Sequence, residues 1–228
     1  MLFTLEDVCF ESRSVEVVNH ASFEIEKGTV NEFHGPSGGG KSTLMKLVAG
    51  ILVPSSGKVC YNSQDIQQMT RQQNLQFRKD CAFVFQDSAL WANQTIAQNM
   101  QLPLQIHFPE MHTAERMEKV KSVCGRVGYE RDLNLRPADL SAGEQKKIAL
   151  ARALISEPKT LFLDECTASL DDKSVRVFSQ ILHEYISEGN TIMYISHSEQ
   201  FRWEFSGVLF EVSGGTVHKK AIDLDDLR

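Results

Sequence analysis

The sequence predicts an α/β fold: a core built on a mostly parallel sheet, an N-terminal antiparallel β subdomain and an inserted helical subdomain. Three observations predict it. Strand-like alternation dominates the chain up to about Asn62. Helical spacing and scattered prolines mark the middle, from about Asp87 to Ala138. Short, nearly continuous apolar runs separated by helical stretches fill the last third, the pattern of parallel strands covered on both faces.

The elements follow in order. Residues 3–10 and 15–25 carry alternating or short apolar runs and read as strands. Glu26-Lys27-Gly28 is a turn, and an extended segment over 28–33 leads out of it. Residues 43–49 have helical character. Pro54-Ser55-Ser56-Gly57 makes a second turn before a strand at 58–62. In the middle, Met117, Val120, Val123, Cys124 and Val127 share one face of a helix over 113–127, and Pro103, Pro109 and Pro137 punctuate the segment. Then come a helix over about 142–155, a strand at 160–163, a helix over 172–187 and a strand at 191–195. A hairpin around Ser213-Gly214-Gly215 closes the pattern, and the acidic residues 223–228 read as a frayed tail. One segment resists the scheme. Val30-Asn31-Glu32-Phe33-His34 is polar for a central strand, and buried polar side chains need partners that the sequence does not name.

Composition narrows the function. A chain of 228 residues with 42% hydrophobic and 24% charged residues has the balance of an ordinary soluble globular protein. The net charge of −6 argues against a general phosphate-backbone binder, so no nucleic-acid partner is expected. No run approaches the roughly 18 apolar residues of a membrane span, and the N-terminus lacks the pattern of a signal peptide. The five cysteines are scattered and form no C-x-x-C pair, which favours reduced thiols in a cytosolic compartment.

The most informative stretch is Gly35-Pro36-Ser37-Gly38-Gly39-Gly40-Lys41-Ser42-Thr43. It matches G-x-x-x-x-G-K-[ST], the P-loop, without a mismatch. The glycines allow a tight loop whose N–H groups converge on phosphate oxygens. Lys41 adds a charge for the β- and γ-phosphates, Ser42 offers a hydroxyl to Mg²⁺, and the following helix aims its positive end at the same anion. The core is therefore expected to be that of a P-loop NTPase. Downstream, Leu161-Phe162-Leu163-Asp164-Glu165 is an apolar strand ending in two carboxylates. In a P-loop protein, an Asp there reaches the Mg²⁺ shell, and a second carboxylate can orient or deprotonate the attacking water. Leu140-Ser141-Ala142-Gly143-Glu144-Gln145 supports two readings. Ser141 and Glu144 are placed for a capping box, and Ser141 with the following N–H groups is placed to bind a phosphate.

Taken together, these segments resemble the ATP-binding subunits of ABC transporters over nearly the whole chain. The resemblance rests on the P-loop, the glutamine in Phe83-Val84-Phe85-Gln86, the signature at 140–145, Ala149-Leu150-Ala151-Arg152-Ala153, the strand at 161–165, Ser169-Leu170-Asp171 and Ser196-His197. It implies a single ATP-binding domain over 1–228, with a core at about 1–86 and 156–228 and a helical subdomain at about 87–155. It implies head-to-tail pairing, as a homodimer or with another ATP-binding domain, with ATP between one chain's P-loop and the other's signature. Ser141 and Gly143 would then contact a γ-phosphate bound by the partner. Gln86 would sit near Mg²⁺ and water and report nucleotide state to a transmembrane permease subunit. Glu165 would be the general base, His197 would contact the γ-phosphate, and Asp171 would lie at the dimer seam. The implied location is cytoplasmic, peripheral on the inner membrane.

Three positions depart from the family pattern. Ser12, beside Arg13, falls where an aromatic residue usually stacks on adenine. Ala142 replaces the first signature glycine, and Cys166 replaces the proline common after the glutamate. A nucleotide-gated scaffold without a transport role is the alternative reading. Phe85-Gln86-Asp87-Ser88-Ala89-Leu90-Trp91, followed by Ala97-Gln98-Asn99-Met100-Gln101-Leu102-Pro103-Leu104 and His107, resembles the ATPases that power lipid or lipoprotein trafficking between bacterial envelope membranes. Transport of another solute is the competing substrate reading.

Overall fold

A computed structural model of the chain describes residues 1–220; the expected frayed tail lies outside the described residues. The elements run β1 (Phe3–Ser12), β2 (Val15–Ile25), β3 (Val30–His34), α1 (Lys41–Val48), β4 (Ser56–Tyr61), β5 (Gln64–Asp65), α2 (Arg71–Asp80), β6 (Cys81–Val84), α3 (Ile96–His107), α4 (Thr113–Arg126), α5 (Ala142–Leu154), β7 (Thr160–Asp164), α6 (Asp172–Ser187), β8 (Thr191–Ile195), α7 (Glu199–Glu204), β9 (Val208–Ser213) and β10 (Thr216–Lys220). They form two compact units: residues 1–78 with the described residues from Ile186 onward, and residues 79–185.

In the first unit, β1 pairs antiparallel with β2 and β4, and β4 with β5, which is the expected antiparallel subdomain. The β1–β2 hairpin turns through Arg13 and Ser14, both left-handed at φ 51° and 62°. That matches the twist of a hairpin better than an ordinary turn does. In the other sheet of this unit, β3 lies between β8 and β9, parallel to both, and β10 pairs antiparallel with β9. Two aromatic clusters fill this unit. Phe23, Phe33 and Phe210 meet with ring centroids 4.9 to 6.0 Å apart, and Phe3 and Tyr61 meet Phe77 of α2 at 6.5 and 5.0 Å. Phe77 is the one buried residue of α2. A helix with a single anchor has no apolar stripe, which is why periodicity did not reveal it.

The structure supplies the partners that the polar strand β3 requires. Asn31, buried, donates from Nδ2 to the Thr29 hydroxyl at 2.9 Å and to the Ile192 carbonyl at 3.2 Å. The Glu32 carboxylate, only 7% exposed, lies 3.1 Å from the Tyr194 hydroxyl and accepts a short hydrogen bond from Arg202 Nε of α7. His34 Nδ1 lies 3.6 Å from the same carboxylate. Burial, with the Glu32 charge second, pushes the Tyr194 phenol well above its ordinary value. Burial, with Arg202 second, holds the His34 imidazole below its ordinary value.

In the second unit, β6 pairs parallel with β7 from Cys81↔Thr160 to Val84↔Leu163, and all five residues of β7 are buried. Three helices, α3, α4 and α5, pack on one another. Val120, Cys124 and Val127 are buried as expected, while Met117 and Val123 are half-buried. Pro109 and Pro137 lie outside α-helices, but Pro103 sits inside α3. A mid-helix proline removes one hydrogen bond and normally costs about 3 kcal/mol. Two features offset that cost here. Thr95 and Gln98 form a capping box, and Ile96, Met100 and Leu104, spaced four apart, are fully buried.

The Glu32 network gives the first expectation. Removing one member of a buried charge pair leaves the other uncompensated, so Glu32→Ala should lower the unfolding free energy by about 3 kcal/mol. Urea titration of both chains checks it; an unchanged midpoint would show that β3 does not need the carboxylate.

Candidate functional site

The loop after β3 is shaped by close backbone approach. Gly35, Gly38 and Gly40 have φ of 145°, 76° and 99°, values that disfavour residues with a Cβ. A Cβ at Gly35 would lie 2.0 Å from the Val212 carbonyl oxygen, and one at Gly40 would lie 2.7 Å from that of Val17. These contacts press the loop between β9 and β2, so alanine fits neither position. Lys41 is buried and folds back, donating from Nζ to the Gly35 and Pro36 carbonyls at 2.8 Å each. The start of α1 has no side-chain cap and no acidic residue in its first turn. Its first N–H groups and positive dipole end therefore meet no capping side chain and no carboxylate on the helix itself.

His197 belongs to the same unit. β3 and β8 are parallel neighbours with Glu32 opposite Tyr194, so Gly35 and His197 each follow three residues beyond a paired position. The register sets the first P-loop residue and His197 at the same end of adjacent strands. Ser196 and Ser198 shape the loop: Ser198 N–H donates to the Ser196 hydroxyl at 3.1 Å, and the Ser198 hydroxyl accepts from Phe201 N–H at the start of α7.

The second unit holds the carboxylates and the glutamine. Asp164 ends β7 and is 2% exposed. Glu165 follows at φ 48°, a left-handed conformation that a glutamate adopts only under constraint. Gln86 lies two residues beyond β6, and its Nε2 donates to Glu165 Oε2 at 2.9 Å. The parallel register of β6 and β7 sets Val84 opposite Leu163 and so brings the two side chains to one strand end. Hydroxyl, amide and carboxylate oxygens, as on Ser42, Gln86 and Asp164, are the hard donors that suit Mg²⁺. Among the described residues no cluster of three or more His, Cys, Asp or Glu forms an all-protein metal cage.

A family profile described as "ABC transporter" matches residues 18–168. The chain belongs to the ABC transporter family. A methionine import ATP-binding protein of Rhodococcus jostii is 31% identical over 95% of this chain and 64% of its own length, so this chain spans less than two thirds of that relative. An uncharacterized ABC transporter ATP-binding protein of Methanocaldococcus jannaschii is 33% identical over 91% of each chain. Among solved structures, a dimeric ATP-binding cassette in a post-hydrolysis state, bound to ADP and Pi, superposes with a TM-score of 0.88 at 25% identity, covering 99% of both chains. The expected fold is thus that of an ABC cassette.

The signature of this cassette takes its structural role in full. Ser141 caps α5, its hydroxyl accepting from Glu144 N–H at 3.2 Å, and the Glu144 carboxylate accepts from Ser141 N–H at 2.8 Å. Arg131 binds both Glu144 oxygens at 3.1 and 3.0 Å. The backbone hydrogen bond from Ser141 holds the Glu144 carboxyl below its ordinary value, against a smaller opposing effect of burial and with help from Arg131. Gly143 comes close to the Ser169 carbonyl: a Cβ there would lie 3.1 Å from it. Asp171 accepts from Ser174 N–H at 2.7 Å in the first turn of α6, and the Ser174 hydrogen bonds lower its carboxyl from the ordinary value.

The departures also have places. Ser12 ends β1 opposite Val15, at the hairpin turn. Ala142 is exposed at the first position of α5. Cys166 is buried, and burial pushes its thiol up to about 12, so it is an inert packing residue. Sequence reasoning missed Lys146 and Arg152 of α5, both of which donate to backbone carbonyls of the glutamine segment. Arg152 lay within the quoted motif at 149–153 but was given no role, and the signal for Lys146 was a cation beside the apolar residues of the same helix.

The capping geometry sets the second expectation. Ser141→Ala removes the α5 cap and should cost about 1 kcal/mol of stability. Thermal unfolding of the two chains measures it; no shift in midpoint would mean that other contacts alone fix the start of α5.

Proposed function

We propose that this cassette binds ATP through Gly35, Pro36, Ser37, Gly38, Gly39, Gly40, Lys41, Ser42 and Thr43, hydrolyses it to ADP and phosphate, and powers a transmembrane permease subunit. The observation that carries the proposal is the Gln86–Glu165 hydrogen bond at the end of β7, which fixes a carboxylate beside the buried Asp164. Glu165 takes a proton from the attacking water while Gln86 orients the carboxylate and the water. Lys41 turns from the Gly35 and Pro36 carbonyls to the β- and γ-phosphates, exchanging neutral acceptors for anionic ones. His197 donates to the γ-phosphate. Ser42, Gln86 and Asp164 would hold Mg²⁺, which supplies charge neutralisation on the phosphates when bound.

We place the cassette in a head-to-tail pair in which Ser141 and Gly143 face the γ-phosphate held by the other chain and Asp171 lies at the seam. The dimeric solved cassette supports that reading. Its layout in this reading is one ATP-binding domain over 1–228, with a core at about 1–86 and 156–228 and a helical subdomain at about 87–155. Among the described residues no helix is long and apolar enough to cross a membrane. The permease would carry the path, and the cassette would sit peripherally on the cytoplasmic face of the inner membrane.

For the cargo we propose an envelope lipid or lipoprotein, on the resemblance of the segment from Phe85 to Leu104. Buried Asn99 gives that segment a fixed form: its Oδ1 accepts from Trp91 N–H at 2.8 Å, and its Nδ2 donates to the Trp91 carbonyl at 3.2 Å, leaving the Trp91 side chain 54% exposed. A nucleotide-gated scaffold is the alternative.

Two variants test the catalytic assignment. Lys41→Ala should abolish productive ATP binding, read with a fluorescent nucleotide; undiminished binding would remove the P-loop from the proposal. Glu165→Gln should keep binding but lower steady-state phosphate release from Mg-ATP by about 10²- to 10⁴-fold. Normal release from that variant would sink the general-base role, and release absent from both chains while ATP still binds would favour the scaffold.

A further inference from the structure

The helix α5 carries a device that the catalytic roles above do not use. Lys146 is 5% exposed, yet its ammonium lies among backbone oxygens. It donates to the Gln86 carbonyl in a short hydrogen bond, to that of Glu165 at 3.3 Å and to that of Phe85 at 3.4 Å. Burial holds this ammonium below its ordinary value, against smaller opposing effects of Cys166 and the nearby carboxylates. Two turns further along, Arg152 donates to the Ala89 and Ser88 carbonyls at 2.9 and 3.0 Å.

The backbone at these contacts is strained. Ser88, Ala89 and Glu165 all lie in the left-handed region, at φ 63°, 44° and 48°. Each such residue costs about 1–2 kcal/mol. Charge-assisted hydrogen bonds to the carbonyls of these residues offset that strain and hold the conformations. Lys146 differs from Arg152 in what it joins. It binds the backbone of both Gln86 and Glu165, whose side chains are themselves hydrogen-bonded at 2.9 Å. One ammonium, two carbonyls and one side-chain pair therefore form a closed ring.

We propose that Lys146 is a positioning residue for catalysis: it sets the Gln86–Glu165 pair and ties it to the helix that begins at the signature. Ser141 caps that helix five residues earlier, about 7.5 Å along a rigid rod. A displacement of the helix start is thus delivered to the carbonyls of Gln86 and Glu165 rather than lost in a flexible loop. This rests on the proposal that Glu165 acts in ATP hydrolysis.

Three variants and two readouts test it. Lys146→Met keeps most of the length of the side chain, one atom short, and removes its donors. It should lower kcat for phosphate release by about tenfold to a hundredfold, as small misplacements of catalytic groups do, with KM and nucleotide affinity within about twofold of the parent. Lys146→Gln restores two N–H donors and should recover most of the loss, which a merely structural defect would not track. Should Lys146→Met fail to fold, Lys146→Ser, which lets water reach the three carbonyls, carries the same expectation. Unchanged kcat, or a kcat loss that Lys146→Gln does not relieve, overturns the proposal. Backbone hydrogen exchange in the nucleotide-free chain separates this from the ATPase reading. If the parent chain releases no phosphate, that reading fails. Even then, exchange about tenfold faster at residues 86–88 and 165–168 in Lys146→Met supports the positioning role, and unchanged exchange overturns it.

Discussion

The first unit depends on a buried carboxylate. Glu32 sits in the middle of β3, between two parallel neighbours, where an apolar residue would be the simple choice. Instead, Tyr194 from β8 and Arg202 from α7 converge on it. A buried pair of this kind adds little net stability over a hydrophobic isostere, but its geometry is directional. It fixes β3 against both the strand that leads to His197 and the helix that follows it. The P-loop starts three residues beyond Glu32, so its origin is set by the same contacts. Close approach then shapes the rest of that loop. The Val212 and Val17 carbonyls leave no room for a Cβ at Gly35 or Gly40.

The second unit solves a different problem with similar chemistry. Its Glu165 carboxylate sits on strained backbone, and the segment after Gln86 contains two more left-handed residues. Such conformations persist only where the surroundings over-determine them. Cations on α5 do this by binding carbonyl oxygens. At Glu32 a cation meets a carboxylate; at Gln86, Ser88 and Ala89 the cations of α5 meet the backbone itself. The consequence is that the helix beginning at Ser141 and the loop holding Gln86 share hydrogen bonds as well as packing.

Several residues for which a chemical role is proposed also carry a structural one. Ser141 and Glu144 form a complete capping box, and Asp171 is bound in the first turn of α6. Neither arrangement competes with the proposed dimer contacts, because a cap engages one lone pair and leaves the helix N-terminus electropositive. Cys166, in place of a proline, packs as a buried neutral thiol. Ala142, in place of a glycine, starts a helix that alanine favours.

The sequence alone determined the α/β class, the P-loop, the order of the motifs and the positions of most strands and helices. These are local properties: glycine spacing, apolar runs and capping residues act within a few positions of one another. Helix α2 escaped because one buried phenylalanine makes no pattern, and Pro103 misled because tertiary packing of α3 outweighed its local cost. The Gln86 and Glu165 residue types were legible, but their hydrogen bond was not. Only the tertiary structure decided that β3 would rest on an arginine 170 positions away and that Lys146 would sit on the carbonyls of Phe85, Gln86 and Glu165. Hydrogen bonds to a backbone carbonyl leave no trace in the identity of the residue that accepts them. That is why this part of the site became visible only when the chain was folded.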